Sequence, residues 1–161
     1  MIEIPYAIIQ VMHKRKIYNK HKLLFLCTRL EINDSMRQEI RKLLSSSTDW
    51  NKIIEISLHH EILPFFYYNL NKLNFQNIIP QDIFAVMRDC YYANLHRNLL
   101  FEKEISRILE LSNREGIKII PFKGFSLIQT LYHNPALRIM ADLDILIKVN
   151  EFQKIKNILA Q

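Results

Sequence analysis

Glycine occurs only twice in this chain, at Gly116 and Gly124, and both lie in its last third. Glycine is the residue that most readily supplies tight turns and left-handed backbone, so the preceding 115 residues have to be built with few of either. Helices joined by short connections meet that condition. The hydrophobic periodicity agrees, with an amphipathic stretch over residues 22–31, a second from about Asp34 to Leu44, and a third opened by Thr48 ahead of Trp50, Ile53, Ile54 and Leu58. Residues 64–73, PFFYYNLNKL, continue as a short aromatic-rich helix with Pro64 at its start. Pro80 opens the longest element, from about Gln81 to Arg114, which Gly116 closes at a C-cap position. At about 1.5 Å per residue this helix reaches roughly 50 Å. Its aromatic residues, Phe84, Tyr91, Tyr92 and Phe101, fall at helical spacings among aliphatic ones, the pattern of core packing and not of base stacking.

After Gly116 the texture changes. IKIIPF, residues 117–122, is a short β-branched run, followed by a turn at Lys123 and Gly124 and then a helical pattern, FSLIQTLYH. A loop with Asn134 and Pro135 leads to ADLDILIKV, residues 141–149, a second strand, and Asn150 is placed to cap a last helix, EFQKIKNILA. The expected fold class is α+β and mostly helical. A helical region, residues 1–115, packs on the leading part of an α/β unit, residues 116–161, that holds a short sheet. No internal repeat, low-complexity tract or Gly/Ser linker separates the two.

Composition narrows the function classes. With 49% hydrophobic and 24% charged residues and no apolar run near the roughly 18 residues needed to span a bilayer, the chain is expected to be cytoplasmic with no membrane partner. The acidic start, MIEIPYAIIQ, does not read as a signal peptide. The net charge of +6 is local, because HKRKIYNKHK, residues 13–22, holds five of the 22 basic residues and leaves 17 against 16 acidic ones elsewhere. A general nucleic-acid surface spreads its charge more widely, so this run reads as a solvated connector. Cys27 and Cys90 are too far apart for a zinc knuckle or a redox pair and read as reduced thiols. His59, His60, His96 and His133 lack a ligand spacing for one metal and read as packing or surface residues.

The chemistry concentrates in 22 residues. Asp142 and Asp144 interrupt an otherwise apolar strand, and residues two apart on a strand share a face, so two carboxylates project side by side. Like charges at that spacing share a proton or bind a divalent cation. Upstream, Lys123 and Gly124 form a strand-to-helix turn, Ser126 lies in the first helical turn, and Arg138 stands in the following loop. Glycine at a helix start gives a ligand access to unpaired N–H groups, and the two cations would add charge for phosphate. A metal on the aspartates would bridge carboxylate to phosphate oxygens.

The run IKIIPFKGFSLIQTLYHNPALRIMADLDILI, residues 117–147, resembles the DNA polymerase β-type nucleotidyltransferase superfamily. It is most similar to a bacterial subgroup in which Lys-Gly stands where most members have Gly-Ser. The resemblance is strong over about 45 residues and looser through the helical lead with its DW…HH…LPFFYYNL pattern. It implies that Gly124 and Ser126 belong to a nucleotide-phosphate turn, that Lys123 replaces a small residue there, and that Asp142 and Asp144 are catalytic and bind Mg²⁺ or Mn²⁺. Arg138 is similar to an arginine found just before D-x-D in the subgroup. The implied reaction transfers a nucleoside monophosphate from a nucleoside triphosphate to the hydroxyl of an unknown acceptor. The superfamily's third carboxylate, on a later strand, has no counterpart here, Glu151 being the sole acid after Asp144. The expectation is therefore a truncated or split catalytic unit, slow in transfer, whose exposed sheet edge is covered by a second copy or by the helical region. Two other readings of the chain are a non-catalytic nucleotide-binding or regulatory module with the same fold, and a helical protein–protein adaptor.

Overall fold

The computed structural model describes residues 18–45 and 48–160. Residues 13–17, the first half of the basic run, lie outside them. The fold class is the expected mostly helical α+β. Contacts divide the chain into two compact units, one extending to Arg88 and the other starting at Asp89. The change of texture at Gly116 falls within the second unit.

In the first unit, α1 covers residues 18–27 and is followed by α2 (Asp34–Ser45), α3 (Trp50–His59) and α4 (Leu63–Lys72). The described half of the basic run is thus helical and not a connector. Lys20 Nζ lies 2.8 Å from Asp49 Oδ2 and Lys22 Nζ 2.7 Å from Glu39 Oε1, which ties α1 to the head of α3 and to α2. The start of α3 differs from expectation by one residue. Asp49 is the cap, accepting from the Lys52 N–H at 3.2 Å, while the Thr48 hydroxyl turns back to the Leu43 and Leu44 carbonyls. Either residue type satisfies an orphan N–H, and the carboxylate also complements the helix dipole. Leu23, Leu24, Cys27, Ile40, Leu44, Ile53, Leu63, Phe66 and Leu70 are buried. Cys27 carries no disulfide, and burial pushes its thiol well above the ordinary range.

The scarcity of glycine has not removed left-handed turns. Glu61 (φ +57°), Asn74 (φ +60°) and His133 (φ +52°) adopt the conformation that Gly116 (φ +67°) adopts without strain. Each follows the end of a helical segment, and the residue after Glu61, Asn74 and Gly116 donates its N–H five residues back, as in Ile62 to Ser57 at 2.9 Å and Ile117 to Ser112 at 2.8 Å.

The second unit takes in the long helix α5 (Gln81–Arg114) from Asp89 onward. The bounds of α5 are those that Pro80 and Gly116 predict. Then come β1 (Ile120–Phe122), α6 (Lys123–Leu127) with a wider π-type turn over Ile128–Tyr132, a 3-10 turn at Pro135–Leu137, β2 (Asp144–Leu146) and α7 (Phe152–Leu159). The two strands are antiparallel neighbours, with Ile120 opposite Leu146, Pro121 opposite Ile145 and Phe122 opposite Asp144. Buried Ile108, Ile117, Ile119, Ile155 and Ile158 form the core, with Leu109, Leu111, Ile145 and Ile147 packed against it. The alternation of a strand therefore turns Ile145 and Ile147 inward and leaves Asp144 and Leu146 on the outer face with Ile120 and Phe122.

Several local expectations are corrected. Both strands are shorter than the apolar runs that predict them, and Asp142 lies in a bend before β2 instead of on it. Asn150 sits inside a 3-10 turn, Val149–Glu151, and Glu151 holds the cap position of α7 without a side-chain bond. Tyr92 is 56% exposed and does not pack in the core.

Two substitutions test this account. Asn69 is buried, and its Nδ2 donates to the carbonyls of Cys27 and Arg29, both at 2.9 Å, closing the end of α1. Asn69→Leu should cost about 1–3 kcal/mol in urea unfolding, because a buried and a part-buried carbonyl lose their donor. Gly116→Ala meets no atom within 4 Å, so its cost, about 1 kcal/mol, should come from the left-handed backbone alone.

Candidate functional site

The register of the two strands decides what meets at the site. Phe122 opposite Asp144 places the residue after Phe122, Lys123, beside the aspartate, and Lys123 Nζ bonds Asp144 Oδ1 at 2.9 Å. The turn and the D-x-D segment, 21 residues apart in sequence, thus touch through a salt bridge. Hydrogen bonding and charge from Asp144, aided by the charge of Asp142, hold the Lys123 ammonium above its ordinary value of 10.5. The pair therefore contributes fully below that ordinary value and is lost as pH rises through the raised one. The lysine is exposed and the pair is screened, so its weight is in positioning more than in stability.

Lys123 has φ +50° at the first position of α6. The left-handed conformation is one that glycine takes freely and a lysine adopts with strain. Gly124 has a different requirement. A methyl group at its Cα would stand 2.9 Å from Met140 Cγ and Sδ and 3.6 Å from Arg138 Nε, so the glycine admits the segment that runs into β2. Met140 is buried there.

Arg138 is partly buried and its Nε is fully enclosed without a hydrogen bond. It forms no ion pair with any described residue, and the Asp144 carboxylate is bonded to Lys123. A partly desolvated guanidinium without an acidic partner is an anion-seeking group. Ser126 lies in the body of α6, half-buried, and its carbonyl accepts from the Thr130 hydroxyl. Asp142 is exposed, whereas the Asp144 side chain retains 29% of its exposure. The structure therefore joins Lys123 to Asp144 and Gly124 to Arg138, with Asp142 close enough for its charge to act on Lys123.

The residues fit a hard divalent cation in type: Asp142 and Asp144 present oxygen donors at the surface, with an ammonium on one of them in the place a cation would take. Among the described residues no group of three or more His, Cys, Asp and Glu gathers. His59, His60, His96 and His133 are all exposed. Among the described residues, no helix is long and apolar enough to cross a membrane.

Two residues escaped the sequence reading. Asn94 and Asn98, one turn apart on α5, are buried at 4% and 1% exposure. Asn94 Nδ2 donates to the carbonyls of Ala136 (2.9 Å) and Arg138 (3.1 Å), and Asn98 Nδ2 to those of Pro135 (2.5 Å) and Arg138 (2.7 Å). The signal in the sequence was a poor helix former repeated at i and i+4 in the middle of a long amphipathic helix.

Comparison with curated proteins and comparison with solved structures each returned no match. Comparison with protein families matched residues 46–161 to the family described as uncharacterised nucleotidyltransferase. That span takes in α3 to α7, the Lys-Gly turn and the two aspartates, and by it the chain belongs to this nucleotidyltransferase family.

Proposed function

We propose that the protein is a metal-dependent nucleotidyltransferase of the DNA polymerase β type, in the subgroup with a Lys-Gly turn before D-x-D. It transfers a nucleoside monophosphate from a nucleoside triphosphate to a hydroxyl acceptor. In that reaction the acceptor oxygen bonds the α-phosphorus, the bond to the β-phosphate bridge breaks, and pyrophosphate leaves. Asp142 and Asp144 hold Mg²⁺ or Mn²⁺, which when bound neutralises phosphate charge at the reacting phosphorus. Lys123 and Arg138 take the triphosphate, with the backbone about Gly124 and Ser126 beside it. The observation that carries this reading is the 2.9 Å contact between Lys123 and Asp144, by which the turn and the acidic segment meet at one point.

The same contact gives Lys123 a distinct part. Its ammonium bonds Asp144 and would turn to phosphate oxygens when a metal–triphosphate is bound. It also fits a second reading, a nucleotide-binding or regulatory module without transfer, since the ammonium occupies the carboxylate proposed to bind metal. Incubation with α-labelled triphosphates, Mg²⁺ and a mixture of hydroxyl acceptors separates the two. Pyrophosphate release lost on Asp144→Asn supports transfer. Metal-dependent binding without release supports the second reading. Absence of both overturns the site.

Asp142→Asn and Asp144→Asn should each weaken Mn²⁺ binding by more than about tenfold, measured by electron paramagnetic resonance, because each removes an anionic ligand. The melting temperature without metal should hardly change, since Asp142 is exposed and Asp144 loses only a screened ion pair. A large drop in both melts would mark the aspartates as structural. Lys123→Ala should divide two affinities that a general loss of structure would lower together. Tripolyphosphate binding should fall about tenfold, whereas Mn²⁺ binding without phosphate should hold or tighten, because Asp144 is released from its competitor.

A further inference from the structure

We infer that Asn94 and Asn98 are positioning residues for polyphosphate binding, which they serve by fixing Arg138 from behind. The inference rests on the nucleotidyltransferase reading for its ligand class and on observed geometry for its mechanism. Both amides are buried on one stripe of α5, and between them they donate four hydrogen bonds to three carbonyls of the segment 135–138. Two of the four end on the same atom, the carbonyl oxygen of Arg138. The stripe continues to Tyr91, whose hydroxyl accepts from Asn134 Nδ2 at 3.3 Å, so α5 holds the chain from Asn134 to Arg138.

Burying a primary amide is costly unless its polar atoms are satisfied, and neither Oδ1 of the pair accepts a hydrogen bond. Aliphatic side chains there would have avoided that cost. What the amides supply instead is direction: they hold backbone carbonyls, which no aliphatic side chain can do, and fix one conformation of the segment. The consequence falls on Arg138. With its carbonyl held twice and its Nε enclosed beside Gly124, the guanidinium is pre-set at the turn and is not free to sweep solvent. A guanidinium fixed before binding loses less conformational freedom on meeting phosphate, which is how a residue out of reach of the ligand can raise affinity for it.

The test uses Arg138 itself as reporter, with inorganic tripolyphosphate as the probe. In the ¹⁵N-labelled protein, the Arg138 Nε–H signal, assigned by its absence in Arg138→Lys, should be resolved and slow to exchange. In Asn98→Ala it should collapse toward the exposed arginine signals, while methyl signals of Ile108 and Ile155 stay in place. Asn94→Ala serves as a second, milder variant should Asn98→Ala fail to fold. Tripolyphosphate affinity should fall about tenfold in either variant and should not fall further when the substitution is made in an Arg138→Ala background. An unchanged Nε–H signal, or equal losses with and without Arg138, overturns the inference. A collapsed signal in a protein whose wild type binds no tripolyphosphate upholds the clamp on Arg138 and removes the polyphosphate reading instead.

Discussion

The site depends on the pairing of Phe122 with Asp144. Three residues per strand make a small sheet, and such a sheet is stable only because Ile145 on its inner face, with Ile147 just beyond β2, packs on the isoleucine core that α5 and α7 complete. That burial fixes the register, since a slip by one residue would turn Ile145 outward and Asp144 into the core. With the register fixed, Lys123 follows directly after the residue opposite Asp144, and the salt bridge between turn and acid is a geometric consequence. Asp144, out of place in an apolar strand by its charge, therefore lies on the outward half of a period-two pattern whose inward half does the folding, while Asp142 stands in the bend just before it.

Around that pairing, two devices bring in the other cation. Gly124 leaves room for Met140 and Arg138 to approach the turn, and the two asparagines of α5 hold the segment that carries Arg138. Both constrain backbone, which sets the guanidinium more firmly than side-chain contacts on a mobile loop could. The positive φ of Lys123 belongs to the same group of constraints. It places a charged side chain on left-handed backbone that a glycine would adopt without strain.

The sequence was most legible where one residue type leaves little choice. Pro80 and Gly116 delimit α5 correctly because one cannot continue a helix and the other ends it without strain. Caps were less legible: Thr48 and Asp49 are both good N-caps, and only the structure shows which one turns toward the helix. Asn150 likewise has the right chemistry in the wrong turn. Candidate site residues could be proposed from motif spacing, but which of them touch could not. Nothing in the sequence distinguishes Lys123 on Asp144 from Arg138 on Asp144, because that choice depends on strand register. Asn94 and Asn98 left only the faint signal of a poor helix former repeated one turn apart, since a helical asparagine facing solvent and one clamping a distant carbonyl are the same letter.

The central claim is that the turn and the acidic segment form one cation–polyphosphate site. Paramagnetic broadening by Mn²⁺ in the presence of tripolyphosphate, followed across the backbone amides, tests it most directly. The account predicts broadening centred on residues 122–124 and 142–144, extending to Arg138 and abolished in Asp144→Asn. Broadening centred instead on the exposed pair His59 and His60, or spread over exposed acids such as Glu55 and Glu110 and unaffected by Asp144→Asn, would contradict it.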